Sequence, residues 1–163
     1  MEHSIHPMTV EDREPVIDLF NFYVENSFAA YPESKLPYQA FDLFLQMSKG
    51  LPTATIKDQK GDLLGFGMLK VYSPMAAFSK TAEITYFLRS DWTGKGLGKI
   101  LLEYLEREGR ARGIKTILAS ISSLNPGSVK FHEKNGFVQC GCFKEVGLKR
   151  GRTFDTVWMQ KTL

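Results

Sequence analysis

The sequence has few cysteines, no long apolar run and only a small charge imbalance. Two cysteines in 163 residues exclude a scaffold that depends on disulfides. The longest apolar stretch, the seven residues from Leu63 to Leu69, is much shorter than the ~18–20 residues needed to cross a bilayer. The net charge of +3 is well below that of proteins that bind a nucleic-acid backbone. We therefore expect neither a membrane protein nor a nucleic-acid-binding protein.

Signals for export and for metal binding are missing as well. Residues 1–6 include an early acidic residue and lack the apolar core of a signal peptide. Cys140 and Cys142 would lie on the same face of a strand, near the outer limit for a disulfide, which favours reduced thiols over a redox role. Neither they nor the three histidines have the spacing of metal ligands. The sequence thus predicts a cytoplasmic protein without a metal.

The composition that is present is globular, with 43% apolar and 24% charged residues. Helical periodicity predicts four helices. The first follows a cap at Thr9, and the others cover 38–47, 98–112 and 126–134, with the strongest pattern over 98–112. Strand patterns cover 4–6, 53–57, 63–72, 81–88, 116–122, 138–146 and 153–160. This order predicts one α/β (α+β) domain over residues 1–163. It would have three layers, with a mixed central β-sheet between helices and a C-terminal β-hairpin.

A glycine-rich turn, Thr93-Gly94-Lys95-Gly96-Leu97-Gly98, separates a predicted strand from the strongest helix. Glycine lets a backbone approach a ligand closely, and a helix N-terminus presents free N–H groups, so the turn is suited to phosphate or pyrophosphate. Lys95 and Lys99 add positive charge. A P-loop is excluded, because Thr93 and Ile100 stand where that motif needs Gly and Ser or Thr. Taken alone, the segment is equally compatible with a purely structural turn.

A second segment, Asn125 to Phe137, reads NPGSVKFHEKNGF and begins where a strand ends. Helical spacing brings Asn125, Ser128 and His132 to one edge of the helix that follows. Taken alone, this pattern is also compatible with a capped helix that carries a surface histidine.

Together, in this order and about thirty residues apart, the two segments resemble the GCN5-related N-acetyltransferase (GNAT) superfamily. The turn resembles its pyrophosphate turn, and 125–137 is similar to its Asn-x-x-(Ser/Ala)-…-Tyr-Glu-Lys-x-Gly-Phe motif. Residues 21–31, 146–152 with Asp155, and 159–160 most resemble the phosphinothricin acetyltransferase / L-amino acid N-acyltransferase branch. The likeness runs over nearly the whole chain and implies the GNAT fold.

The resemblance implies acetyl-CoA as the donor and the primary amine of a small, amino-acid-like molecule as the acceptor. The pyrophosphate would bind the N–H groups of 95–99, and the pantetheine would run beside the end of the strand at 86–88. The expected acetyl-CoA-binding residues are Phe87, Leu88, Thr93, Gly94, Lys95, Gly96, Leu97, Gly98, Lys99, Asn125 and Ser128.

Glu83 occupies the place of the branch's catalytic glutamate and is expected to deprotonate the acceptor ammonium. His132 stands where the family commonly has a tyrosine that protonates the departing thiolate, and an imidazole can donate near neutral pH. Four side chains are expected to contact the acceptor, namely Phe28, Tyr31, Tyr72 and Met75.

The chain departs from the branch at two places. Thr93 replaces the usual Arg or Gln near the phosphates. Arginines suited to an acidic acceptor are replaced by Ser73, Met75 and Ser79, which leaves Lys70, Lys80 or Arg89 as substitute cations.

Two alternatives stay open at this point. An N-acetyltransferase of proteins or peptides would need an open groove, and a non-catalytic acyl-CoA-binding module would lack turnover. Because members of the branch commonly pair, the resemblance also implies a homodimer formed through the C-terminal hairpin.

Overall fold

Helices cover the two faces of a sheet in residues 2–163, the part of the chain that the computed structural model describes. The α-helices are α1 (Arg13–Asn26), α2 (Ala40–Met47), α3 (Leu97–Ala111) and α4 (Pro126–Lys134). Each corresponds to a predicted helix. α2 begins later than predicted because Tyr38 and Gln39 form a turn, in which the N–H of Ala40 donates to the carbonyl of Pro37 over 3.0 Å.

The strands also follow the predicted order, with longer ends in the C-terminal hairpin. β6 continues to Lys149, beyond the predicted end at 146, and pairs with β7 through two irregularities in register. The predicted α/β class and the hairpin are confirmed. The strands are β1 (His3–His6), β2 (Thr53–Asp58), β3 (Leu63–Val71), β4 (Thr81–Leu88), β5 (Thr116–Ser122), β6 (Val138–Lys149) and β7 (Arg152–Thr162).

The strands form one mixed sheet, in the order β1-β2-β3-β4-β5-β7-β6. The central β4–β5 pair is parallel, and its pairing stops at Glu83 opposite Leu118. Beyond that point β4 stays paired with β3 as far as Leu88, and β5 stays paired with β7 as far as Ser122. The two strands therefore diverge and leave a notch in the middle of the sheet.

Apolar side chains anchor helices on both faces of this sheet. On one face, the buried stripe of α3 (Leu97, Leu101, Leu102 and Leu105) packs against strand residues that include Ile117. On the other face, α1 and α2 pack on β3; there Ile17, Phe41 and Phe66 are each 0% exposed. These two clusters hold the diverging strands in place. No helix within residues 2–163 is long and apolar enough to span a membrane.

Candidate active site

A cavity of about 770 Å³ occupies the notch between β4 and β5. Its walls come from both strands, from the loop after α1, from the turn before α3 and from the start of α4. Leu88 is five positions after Glu83, so the two ends of the β4 wall lie roughly 16 Å apart at ~3.3 Å per residue. The cavity is thus long enough for an extended ligand.

The glycine turn closes one end of the cavity. Gly94 and Gly96 have φ angles of +73° and +85°, which lie in the left-handed region that favours glycine. A Cβ atom at either position would find no heavy atom within 4 Å, so the turn borders open space. The first N–H groups of α3 have no acceptor within their own helix. The turn therefore has the geometry that an anionic group requires.

The N-terminus of α4 lies next to this turn. A Cβ on Gly98 would come within 3.3 Å of the Phe131 ring, so the two helices meet closely at this point. Asn125 caps α4, since its Oδ1 accepts the N–H of Ser128 over 3.4 Å. Of the eleven predicted donor-binding residues, the cavity lining contains all but Lys95, whose ammonium lies 4.6 Å from the centre of the Trp92 ring, and Leu97, which is buried in the core.

Tyr86 and His132 meet in the wall of the cavity. His132 is 4% exposed, and its Nδ1 lies 2.7 Å from the carbonyl oxygen of Ser128. A carbonyl only accepts, so Nδ1 carries a hydrogen, and the Nε2 of the neutral ring accepts the Tyr86 hydroxyl over 2.6 Å. Burial lowers the pKa of His132 and raises that of Tyr86. At neutral pH the proton shared by this pair therefore lies on the Tyr86 oxygen.

Glu83 and Lys70 form an ion pair further along the cavity. The Lys70 ammonium lies 3.3 Å from Glu83 Oε1, and the two side chains are 21% and 25% exposed. Tyr31 is close by, with its hydroxyl 3.3 Å from Ser120 Oγ on β5. Burial is the main cause that raises the pKa of Tyr31, and the Glu83 charge adds to it. This end of the cavity offers both a positive and a negative group within apolar walls.

Of the four predicted acceptor contacts, the described residues of the lining include only Tyr31. Phe28 turns toward the C-terminal hairpin, where the Arg152 guanidinium lies 5.2 Å from its ring centre. Tyr72 packs edge-on against Phe78 on the outside of the protein, and Met75 is 61% exposed. The aromatic residues of the loops divide between the cavity and the surface, and no periodic pattern in the sequence indicates which goes where.

The prediction placed Tyr86 beside the pantetheine, as part of 86–88, but did not link it to His132. It did not identify Ser120 as a wall residue, and it gave Lys70 only as one of three substitute cations. Lys80 is exposed, and Arg89 is held by Asp91 at 2.7 Å, so Lys70 is the one of the three that lines the cavity. Alternation along β4 places Tyr86 and Glu83 on opposite faces of the sheet. Both reach the cavity because the notch is open toward both faces.

Comparisons with known proteins place the chain among acetyltransferases. A sequence model of the acetyltransferase (GNAT) family matches residues 16–137. The chain is 33% identical to the L-methionine sulfoximine/L-methionine sulfone acetyltransferase of Pseudomonas paraeruginosa, over 100% of this chain and 96% of the relative.

Two solved structures have a similar fold. A phosphinothricin acetyltransferase from Sinorhizobium meliloti, in complex with acetyl-CoA, has a TM-score of 0.93 and 27% identity, over 100% of this chain and 89% of that one. A ribosomal-protein-alanine N-acetyltransferase from Brucella melitensis has a TM-score of 0.91 and 29% identity, over 98% of this chain and 99% of that one.

Proposed function

The chain belongs to the acetyltransferase (GNAT) family and is an N-acetyltransferase that uses acetyl-CoA, and on that premise we propose that its acceptor is the primary amine of a small, amino-acid-like molecule. The observation that carries this proposal is the Lys70–Glu83 ion pair inside an apolar cavity. An amino acid carries one positive and one negative group, and this pair offers a partner for each.

The residues around the glycine turn fit the donor. The left-handed glycines, the free N–H groups of α3 and the Lys99 side chain at the cavity wall would hold its pyrophosphate. The long notch beside β4 has room for the pantetheine arm. Bound acetyl-CoA supplies the acetyl group as a thioester, which an unprotonated amine can attack. What the protein has to add is orientation, exclusion of water and the handling of protons.

Glu83 is proposed as the general base. Its carboxylate takes a proton from the acceptor ammonium at Oε1, directly or through a water molecule. The Lys70 ammonium lies 3.3 Å from this oxygen, so the carboxylate already faces a cation where the acceptor ammonium would bind. Glu83 is also the last residue of β4 that pairs with β5, so its side chain is held where the notch begins.

The Tyr86–His132 pair is proposed to hold a proton in the cavity wall. The sequence predicts that His132 takes part in proton transfer, and this part of the prediction is retained. His132 is proposed to act through the Tyr86 hydroxyl, which binds its Nε2. The one hydroxyl hydrogen of Tyr86 then points at Nε2, and the imidazole is held by the Ser128 carbonyl. The Tyr86 oxygen keeps a lone pair that can accept a hydrogen bond from a ligand in the cavity. This arrangement differs from direct donation by His132.

Lys70 is proposed to bind the acceptor carboxylate. A bound amino acid would replace the Lys70–Glu83 ion pair with two contacts of its own. Its carboxylate would bind Lys70, and its amine would bind Glu83. The relatives named for methionine sulfoximine and phosphinothricin acetylation act on molecules of this class.

The test of the function is a thiol-release assay with acetyl-CoA and a panel of acceptors. The panel holds L-methionine sulfone, L-methionine sulfoximine, phosphinothricin, the common amino acids, polyamines and short peptides that begin with alanine. Fastest release with a small amino acid supports the proposal. Fastest release with a peptide favours a protein or peptide N-acetyltransferase, and tight CoA binding without any release favours a non-catalytic acyl-CoA-binding module.

The proposal also includes a homodimer formed through the C-terminal hairpin. β6 is an edge strand of the sheet, and it exposes a row of apolar side chains. The exposed fractions are 70% for Val138, 57% for Phe143, 60% for Val146 and 68% for Leu148. Burying such a row against a second copy would remove apolar area from water. Sedimentation of wild type and of Leu148→Asp tests this, with a shift of the variant to monomer expected.

We also propose a domain organisation and a cellular compartment. Residues 1–163 act as a single N-acetyltransferase domain, since both clusters of buried side chains pack on one continuous sheet. The cytoplasm is the proposed compartment, where cysteines such as Cys140 and Cys142 stay free thiols.

A further inference from the structure

Lys149, at the end of β6, is fully buried with an exposed fraction of 0%. Its ammonium donates to three backbone carbonyls, those of Val24 at 2.7 Å, Ser27 at 2.8 Å and Ala30 at 2.7 Å. A charged lysine has three N–H donors, so every one of them has a partner. The uncharged amine has only two hydrogens and would leave one carbonyl unmatched, so this geometry belongs to the ammonium form.

The three carbonyls come from one continuous stretch of chain, the last turn of α1 and the loop that follows it. The end of a helix carries unpaired carbonyls and partial negative charge, which compensates a buried cation. Lys149 therefore replaces the missing N–H groups beyond the end of α1. It binds three carbonyls of residues 24–30 from a point more than a hundred residues away along the chain.

Arg150 makes further hydrogen bonds to the same segment. Its guanidinium donates to the Val24 carbonyl over 2.7 Å, and its backbone N–H donates to Glu33 Oε1 over 3.0 Å. The two consecutive residues at the tip of the hairpin thus hold the loop at its start, middle and end.

The held loop forms part of the cavity wall. Ala29, Ala30, Tyr31 and Pro32 line the cavity. The Tyr31 ring stacks on Phe154 of β7 at 5.6 Å, and its hydroxyl reaches Ser120. The position of Tyr31 opposite Glu83 therefore depends on where Lys149 places the chain just before it.

We propose that Lys149 is a positioning residue for the acceptor: its ammonium fixes the 27–32 loop and so sets the wall against which the acceptor amine is oriented toward Glu83. The inference rests on the proposed function, in which the acceptor occupies the end of the cavity next to Tyr31. The donor end is built from α3 and α4 and does not include this loop.

The experiment compares wild type, Lys149→Met and the matched control Lys144→Met. Lys144 lies on the same strand, but its side chain is 76% exposed. We expect Lys149→Met to raise the KM for L-methionine sulfone about ten-fold or more, while the KM for acetyl-CoA stays within about two-fold. Lys144→Met should leave both constants unchanged. Equal effects of Lys149→Met on both substrates, or no effect on either, would overturn the proposal.

Amide hydrogen exchange supplies a readout that does not depend on turnover. In Lys149→Met, we expect faster exchange confined to residues 27–33, with α3 and α4 protected as in wild type. Faster exchange throughout the protein would indicate general destabilisation and contradict the inference.

Arg150→Ala extends the test if Lys149→Met does not fold. Arg150 is exposed, so its loss removes one tie to the loop without leaving a buried charge. A smaller rise in the acceptor KM, again without a change for acetyl-CoA, supports the proposal, and an unchanged acceptor KM contradicts it. A wild-type protein that acetylates no amino acid would refute the proposed function instead, while the exchange data would still report on the loop.

Discussion

The hydroxyl of Tyr86 donates to Nε2 of His132 over 2.6 Å, across 46 residues of sequence. Because Nδ1 of the same ring is committed to the Ser128 carbonyl, protonation of His132 would add a hydrogen at Nε2. The Tyr86 hydroxyl would then have to turn and accept it, and a positive charge would be buried. The buried pair therefore favours the neutral imidazole. This preference connects the cavity wall to the stability of the whole fold.

Stability should depend on the protonation of His132. Burial lowers its pKa below the ordinary value of 6.5, so the unfolded chain takes up this proton at higher pH than the folded one. The stabilisation is complete above about pH 6.5 and is lost as the pH falls through the folded-state pKa, with a slope of at most about 1.4 kcal/mol per pH unit. Urea unfolding between pH 5 and 8 measures it. His132→Asn should flatten the profile, whereas parallel profiles would contradict the prediction.

Glu83→Gln should lower kcat/KM by about two orders of magnitude or more at neutral pH, because the amide cannot accept the proton of the acceptor. The substitution keeps the size and shape of the side chain. The assay is thiol release with saturating acetyl-CoA. Glu133→Gln, an exposed change on α4, is the matched control and should retain wild-type turnover. Unchanged turnover of Glu83→Gln would reject its role as base.

Lys70→Met should raise the KM of L-methionine sulfone about ten-fold or more, since a charge-assisted hydrogen bond to the carboxylate is lost. A matched acceptor without a carboxylate, 3-(methylsulfonyl)propylamine, separates this effect from any change at Glu83. The variant should affect this amine much less. Equal losses for both acceptors would show that Lys70 acts only through its ion pair with Glu83.

Gly147→Ala should destabilise the fold by about 1–3 kcal/mol, because an added methyl group overpacks the hairpin. Its Cβ would overlap the Phe154 ring, which is 6% exposed and cannot move freely. Gly141→Ala is the control on the same strand, since a Cβ there meets nothing within 4 Å. Thermal unfolding should show a lower Tm for Gly147→Ala only. Equal Tm values for the two variants would contradict this packing.

Local patterns in the sequence were sufficient to predict most of the fold. β-Branched and aromatic residues indicated β4 at 81–88, and a strand pattern indicated β5 at 116–122. A proline near the first turn and a stop at Gly136 indicated α4 at 126–134, and all three have the bounds that the structure shows. These signals depend on neighbours a few residues apart, so one sequence contains them. The glycine turn was predicted for the same reason, since its two left-handed glycines are a local requirement.

The parts that escaped prediction depend on distant residues. Phe28 and Tyr31 lie in the same loop, yet Phe28 packs beneath the hairpin while Tyr31 reaches the cavity. Lys149 determines that path from the far end of the chain, and its burial contradicts the usual exposure of lysine. The contact between Tyr86 and His132 spans 46 residues of sequence, and no local pattern indicates it.

The notch between β4 and β5 also has a consequence for the stability of the fold. On either side of it lie two partial sheets, β1-β2-β3-β4 and β5-β7-β6, and β4 and β5 pair only at residues 81–83 and 116–118 in the described part of the chain. A ligand bound in the notch contacts both partial sheets and so links them for as long as it stays bound. Binding to the folded form alone raises the free energy of unfolding with ligand concentration. The free energy of unfolding of this protein thus rises with the concentration of its own substrates.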